Sequence, residues 1–356
     1  MITLVITNRN RDLSIVKKCL DSLKTQSVKE FKCFFVDYGS HSEYVSLCKE
    51  IIENYDFVTA KFYPVSGQLW NKSRAINTVL KECTTASFFV GDIDMIFAPN
   101  FIAKLYQMQS LEEVFYFQVG FLSQEESLLN KTFDAYKTAF LSNKEATGMT
   151  FYPTHLLKEL QGYDEFYHGW GAEDTDVHVR LLNSGISVKF YDEEVLMKHQ
   201  WHPKQYRSSY STEPFHSLLE QVNHNYLKLT QKNQIKKANT YFEYGLIPVE
   251  NEYEALQTNE MEIHLTNEKN ELQAFLQGTL FNLQKGVYTI KVSEHKLFKD
   301  TKNWLKMKLG KKHLEFYNFE EITNLILSVI IVNFRNNPYY FEYKKKEHTI
   351  ILRIKL

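Results

Sequence analysis

Two acidic signatures stand out among the residues able to do chemistry. Asp92 and Asp94 follow an apolar run, Ser87-Phe88-Phe89-Val90-Gly91. On an extended segment, alternation puts both carboxylates on one side and turns Ile93 toward a core. A hard divalent cation such as Mn²⁺ or Mg²⁺ takes carboxylate oxygens and substrate phosphates together. A cation held there would neutralise charge on a departing diphosphate. The second signature is Gly169-Trp170-Gly171-Ala172-Glu173-Asp174, at the start of an expected helix. Trp170 offers a flat apolar face to a sugar ring. Glu173 and Asp174 stand where the helix dipole favours ionised carboxylates, and an ionised Asp174 is able to accept a proton from a hydroxyl as general base. The plain alternatives stay open: a solvated loop for Asp92 and Asp94, and simple helix capping for Asp174 and Asp176. Together the two signatures suggest transfer of a sugar from a nucleotide-linked donor.

Further candidates surround them. His199, in Lys198-His199-Gln200-Trp201-His202, would complete the coordination of the same metal, with His202 as competitor. Arg9, Arg11 and Arg74 are candidate diphosphate contacts, because guanidinium grips phosphate oxygens in a fork. The solvated reading weighs more for Arg11 than for Arg9 or Arg74. Asn77 lies one turn from Arg74, so both face one cleft. Asp37, at the end of an apolar strand, would accept a hydrogen bond from a base or ribose.

The elements that position these groups alternate over the first hundred residues. Strands are expected at Thr3–Thr7, Phe31–Val36, Ala60–Tyr63 and Ser87–Val90. Helices are expected from Asp12, which caps the run Leu13, Val16, Leu20 and Leu23, and over Tyr44–Tyr55 and Asn71–Cys83. This rhythm predicts an α/β fold, a mostly parallel central sheet with helices on both faces. Ligands of such sheets bind past the carboxyl ends of the strands, where Arg9, Asp37, Asp92 and Asp94 fall. Further strands are expected at Phe115–Phe121, Val188–Tyr191 and Glu194–Lys198, with a helix over Asp174–Asn183. Three domains follow: residues 1–206 catalytic, 207–238 a helical connector built on Leu218–Lys237, and 239–356 a small α+β domain. In the last, Met261–Leu265, Val287–Val292, Leu325–Phe334 and Thr349–Ile354 read as strands, with Asn336-Asn337-Pro338 as a turn between two of them.

Bulk properties narrow the class. The chain has 356 residues, 44% hydrophobic, with a formal net charge of −1. That balance excludes nucleic acid as the main partner. Cys19, Cys33, Cys48 and Cys83 show neither CxxC nor zinc spacing, which suits free thiols in a reducing compartment. The apolar N-terminus lacks a basic n-region and reads as a strand instead of a signal peptide. The expected location is cytoplasmic, with contact at the inner membrane face left open. The Lys-rich segment Lys291–Lys312, which carries Phe298, Trp304, Leu305 and Leu309, suits anionic headgroups or an acidic glycan, though a solvated helix face is the plainer reading.

Over residues 1–205 the chain resembles the GT-A fold glycosyltransferases of family 2. Gly162-Tyr163-Asp164-Glu165 followed by Gly169-Trp170-Gly171-Ala172-Glu173-Asp174 looks like the motif shared by β-1,4-galactosyltransferases and bacterial chondroitin-type polymerases. The resemblance implies a GT-A (Rossmann-like) fold and a metal-dependent, inverting hexosyltransferase using a UDP-sugar. Galactose or an N-acetylhexosamine would pass to a saccharide or lipid-linked glycan, in bacterial capsule or surface polysaccharide synthesis. It implies that Ile6-Thr7-Asn8-Arg9-Asn10-Arg11 forms the nucleotide loop, with Thr7 and Arg9 in it. Asp37 would read uridine, and Arg74 and Asn77 would flank the diphosphate. Asp92 and Asp94 would form the metal motif, with Asp94 and His199 holding Mn²⁺. Asp174 would be the base and Glu173 its acceptor-orienting neighbour. Two positions depart from the pattern: Ala172 stands where glycine is common, and Thr175 where some relatives are acidic. A non-catalytic carbohydrate-binding or scaffold protein that kept the fold is the alternative.

Overall fold

In the computed structural model, which describes residues 1–203, 214–258 and 261–356, β1 (Ile2–Asn8) is buried along its whole length. That is the expected state of an apolar strand covered on both faces. It lies inside a seven-stranded sheet. In chain order, α1 (Leu13–Lys24), β2 (Phe31–Tyr38), α2 (Ser42–Ile52), β3 (Val58–Tyr63), α3 (Lys72–Glu82) and β4 (Ser87–Asp92) follow. Asp12 caps α1 through a 2.8 Å bond from Ser14 N, as its position predicted. Asn71 caps α3 in the same way, accepting from Arg74 N.

The chain continues through β5 (Met95–Phe97), α4 (Phe101–Gln107), β6 (Glu113–Phe117), β7 (Gly120–Leu122) and α5 (Gln124–Leu128). Next come β8 (Thr138–Leu141), β9 (Thr150–Pro153), α6 (Thr154–Glu159), α7 (Glu173–Asn183), β10 (Ser187–Tyr191), β11 (Met197–His199) and α8 (Leu219–Lys232). The large sheet has the order β10-β6-β9-β4-β1-β2-β3. Only β9 runs antiparallel to its neighbours β4 and β6, so the sheet is mostly parallel, as the alternating pattern implied. A second sheet, β5-β11-β7-β8, stands beside it. Phe89, Phe97, Phe101 and Phe117 join the core behind β4, with Phe97 and Phe101 centroids 4.8 Å apart.

Several expectations change. Phe115–Phe121 is two strands in different sheets, because the chain leaves the large sheet at Gln118 and Val119. Ser142 Oγ accepts the Val119 N–H at this crossing. The strand expected at Glu194–Lys198 shortens and shifts to β11.

The chain divides into two compact units. The first comprises Met1–Tyr63, Trp70–Gln205 and Glu220–Ile247, and the second Pro64–Leu69, Tyr206–Leu219 and Pro248–Leu356. The boundary expected at 206/207 lies outside the described residues. Most of α8, expected as part of a connector, belongs to the first unit. The second unit contains α9 (Glu250–Glu254), β12 (Met261–Thr266), α10 (Lys269–Gln277), β13 (Val287–Ser293), α11 (Thr301–Lys308), α12 (Phe319–Val329), β14 (Tyr339–Lys344) and β15 (Thr349–Lys355). Its sheet has the order β12-β13-β15-β14. Leu325–Phe334 is no strand. It is the end of α12 and a following π-helical turn. A capping box joins Asn318 and Glu321 at the start of that helix. Asn336-Asn337-Pro338 therefore joins a helix to β14.

Candidate active site

Strand register brings the first groups to one edge. Asn8 of β1 pairs with Asp37 of β2, and Thr7 of β1 with Asp92 of β4. Asp37, Asn8 and Asp92 thus end three adjacent strands, about 4.8 Å between neighbours. Asp37 is fully buried. Asn8 Nδ2 and Ser40 Oγ each donate to its Oδ2 at 2.6 Å, and Ser40 N–H donates to its Oδ1 at 3.1 Å. Burial pushes the Asp37 carboxyl up, against the pull of Ser40, Asn8 and the nearby Arg9. Thr7 is buried and Arg9 half-buried.

Just past β4, Asp94 meets three cationic or imidazole groups. His202 Nε2 lies 3.1 Å from Oδ2, His199 Nε2 lies 3.7 Å from Oδ1, and Arg11 Nη2 lies 3.3 Å from Oδ2. The pairing of β11 with β5 delivers His199, which sits opposite Met95. Gln200 N–H donates to Asp94 O at 2.8 Å and closes this joint. The His199 ring stacks on Phe121, centroids 4.7 Å apart. Burial alone would raise the Asp94 carboxyl, but His199, His202 and Arg11 outweigh it and hold it well below the usual range. Burial lowers the His199 imidazole despite Asp94, a shift toward the neutral form that binds metals.

The donor set fits a cation. Ligand atoms of Asp94, His199 and His202 all lie within 4.8 Å of one another. Asp94 Oδ1 is buried and has no hydrogen-bond partner among the described residues. Both histidines of the Lys198–His202 stretch thus enter the cluster, where only one was expected. Arg11, for which the solvated reading weighed most, is only 24% exposed at its side chain and pairs with Asp94.

Lys72 organises the other half of the site. Its Nζ lies 3.0 Å from Asp92 Oδ1, 3.0 Å from Asp174 Oδ2 and 3.7 Å from Glu173 Oε1. Burial would strip its proton, but the three carboxylates hold the ammonium well above its ordinary range. Glu173 is shifted upward as well. Burial and the neighbouring Asp174 push it up to about 7, against Lys72. The second oxygen of Asp174, Oδ1, is buried and unpartnered among the described residues. One carboxylate oxygen is therefore clamped and the other is left to accept. Lys72 escaped sequence reading, yet it carried a signal. It is the first residue of α3, where the dipole disfavours a cation unless carboxylates stand close.

The turn before α7 aims Glu173 and Asp174. Gly171 has φ +99° and Ala172 φ +75°. The left-handed region suits glycine, and alanine there costs about 1 kcal/mol. Gly169 N–H donates to Trp70 O at 2.7 Å. From α8, Asn223 Nδ2 donates to His168 O at 2.9 Å and Trp170 O at 3.3 Å. The Trp170 side chain stands exposed beside the acidic pair. Asp176 does not cap the helix. It is buried against Arg180 Nε at 2.6 Å, and Arg180 also reaches Leu160 O and Gly162 O.

Arg74 and Asn77 are engaged differently from the expectation. Arg74 Nε donates to Glu165 Oε2 at 2.7 Å, and Asn77 Nδ2 to Glu165 Oε1 at 3.0 Å. Both are buried. Through these bonds they brace the Gly162–Glu165 turn.

One turn beyond Asp174, His178 is buried against Tyr116 and its Nε2 bonds Thr150 Oγ1 at 3.0 Å. Burial lowers its pKa from 6.5 to about 4, although Asp174 pulls the other way. A depressed histidine favours the fold when neutral. The unfolded chain takes up the proton first as pH falls, so this stabilisation is whole above pH 6.5 and drains away toward pH 4. The difference is roughly 3 kcal/mol at most. Urea unfolding at pH 7.5 and 4.5 checks this: His178→Gln should lose much less stability over that interval than the parent chain. Equal losses would remove His178 as the cause.

The chain is similar to known proteins in sequence and in fold. Residues 3–156 match the model of glycosyl transferase family 2, and residues 128–202 match a model described as the N-terminal domain of galactosyltransferase. Among solved structures, the chain is similar to residues 1–349 of S. aureus TarS at 14% identity and TM-score 0.42, covering 56% of this chain and 60% of that one. It is similar to the mannosyltransferase PcManGT of Pyrobaculum calidifontis, solved with GDP-Man and Mn²⁺, at 16% and 0.43, covering 58% of each. It is also similar to GalNAc-T7, solved with UDP, GalNAc and Mn²⁺, at 14% and 0.48, covering 65% and 48%. The chain thus spans about half to three fifths of those proteins' lengths.

Proposed function

We propose that this chain, which matches the models of glycosyl transferase family 2 over residues 3–156 and of the galactosyltransferase N-terminal domain over residues 128–202, is a GT-A glycosyltransferase that transfers a hexose or N-acetylhexosamine, galactose-type favoured, from a UDP-sugar to a saccharide or lipid-linked acceptor with inversion. The observation that carries this reading is the state of Asp174: Oδ2 is held by Lys72 and buried Oδ1 is unpartnered. Oδ1 takes the proton of the acceptor hydroxyl. The acceptor's hydroxyl oxygen then attacks the anomeric carbon in line as the bond to the diphosphate breaks, so the anomeric centre inverts and UDP leaves. Glu173, pushed up to about 7, is suited to hydrogen-bonding an acceptor hydroxyl next to the reacting one. Exposed Trp170 gives the acceptor ring an apolar face. The nucleoside would lie past the carboxyl ends of β1 and β2, beside Thr7 and Arg9, with Asp37 acting through the Asn8 and Ser40 groups it orders.

Asp94, His199 and His202 would hold a divalent cation, which supplies charge neutralisation for the leaving diphosphate. Two imidazoles in the set favour Mn²⁺ over Mg²⁺, which prefers oxygen ligands. Asp92 would meet the donor, balanced by Lys72. A place in capsule or surface polysaccharide synthesis at the cytoplasmic side of a membrane belongs to the same proposal.

Calorimetric titration with UDP tests it. Binding should tighten at least about tenfold when Mn²⁺ is present, less with Mg²⁺, and the gain should vanish in Asp94→Ala. Absence of UDP binding under both conditions would overturn the reading in favour of a carbohydrate-binding scaffold. A screen of UDP-sugars for released UDP then names the donor.

A further inference from the structure

The transfer reaction leaves α11, in the second unit, without a role. Its eight residues are all described, and none is buried. Trp304 is 57% exposed, Leu305 52% and Leu309, just past its end, 60%. A helix exposed all round is ordinarily polar, because exposed aliphatic and indole surface lowers no free energy in water. More than half of each of these side chains faces solvent. Asn303 exchanges two 2.9 Å hydrogen bonds with the backbone of Leu314, which fixes the inward side of the helix. At 100° per residue Leu305 points almost directly away from Asn303, flanked by Lys308 and Leu309. The outward face is therefore apolar with lysines along it.

Charge identifies the occupant. Residues 296–312 contain seven lysines and one acidic residue, Asp300, in a chain whose net charge is −1. Asp300 is used as the α11 N-cap. Lys302 and Lys306 pair with no carboxylate among the described residues, and Lys308 lies over the Trp304 ring, 5.7 Å from its centroid. A local cationic excess around an indole and two leucines matches an anionic lipid surface. The rings and leucines enter the acyl boundary, while lysine stems reach back to the headgroups. No described helix is long and apolar enough to cross a membrane, so this contact would lie in the interface plane.

We propose that α11 docks the second unit onto an anionic phospholipid bilayer. This stands apart from the transfer reaction and survives its refutation, because its readout is vesicle binding alone. The full chain is mixed with phosphatidylcholine vesicles holding about 30% phosphatidylglycerol, or none, and sedimented. It should bind the anionic vesicles, at least about tenfold more weakly in 0.5 M salt, and hardly at all to the neutral ones. Trp304→Ala with Leu305→Ala, and separately Lys302→Glu with Lys306→Glu, should each weaken binding about tenfold or more. These positions are exposed, and the far-UV circular dichroism and thermal unfolding midpoint of each variant serve as the control for folding. Equal binding to neutral vesicles, no binding at low salt, or binding unaffected by either pair overturns the proposal. So does a Trp304-dependent dimer or retention on polygalacturonate without vesicle uptake, which would assign the face to a second copy or to an acidic glycan.

Discussion

Asp174→Asn should lower the rate of sugar transfer about 10³-fold while leaving Mn²⁺-dependent UDP binding within about twofold of the parent. The amide keeps the size and shape of the carboxylate, so the Gly169–Ala172 turn and α7 have no reason to move. What changes is the oxygen pair. Lys72 now loses a charged partner at 3.0 Å, and the unpartnered buried position is either a neutral carbonyl oxygen or an NH₂ that cannot take a proton. General-base removal typically costs 10²- to 10⁴-fold, and an attacking sugar hydroxyl is too weak an acid to dispense with it. Single-turnover rates with saturating donor isolate the chemical step, and calorimetry reads donor affinity separately. Transfer within tenfold of the parent chain would remove Asp174 from the role of base. Loss of UDP binding together with transfer would instead make Asp174 a donor contact.

Much of this arrangement was legible in residue types and spacing. β-Branched and aromatic runs ending in Asn8, Asp37 and Asp92 marked three parallel strands, and their carboxyl ends do lie side by side. Asp12 announced a helix start through its own side chain. What stayed hidden depends on short elements and on long-range pairing. β5, β9 and β11 have three or four residues each, too few to show a period of two. Yet the β5–β11 pair is what carries His199 and His202 to Asp94. The Leu325–Phe334 run is apolar throughout, and such a run fits a buried strand or helix equally well. The Asn318–Glu321 capping box settles it and was visible in the sequence. Arg74 and Asn77 show the limit of reading side chains from a helix face: the sequence marks them as polar residues one turn apart, but not that Glu165, distant in sequence, bonds both.

Lys72→Met should reduce transfer about 10²-fold at pH 7 and move the acidic limb of the pH–rate profile upward. One ammonium here faces three carboxylates, two of them at 3.0 Å, in a site where its own side chain is only 10% exposed. Removing one partner of a buried ionic group leaves uncompensated charge and costs about 3–5 kcal/mol. The cheaper outcome is protonation. Asp92 is already pushed up by burial and by Asp94 and Asp174, with Lys72 as its main opponent. Without the ammonium, the Asp92–Glu173–Asp174 group holds at least one more proton at neutral pH. A base that carries its proton cannot accept another, so activity should return in part as pH rises toward 9. The sign separates positioning from mere loss of fold, because a misfolded variant gains nothing from alkali. Lys72→Arg keeps the charge and should retain the parent's pH profile even where its bulk lowers the rate. An unchanged profile in Lys72→Met, with transfer within threefold, would show that the three carboxylates need no cation between them. The base would then have to be oriented by the turn at Gly171 and Ala172 alone.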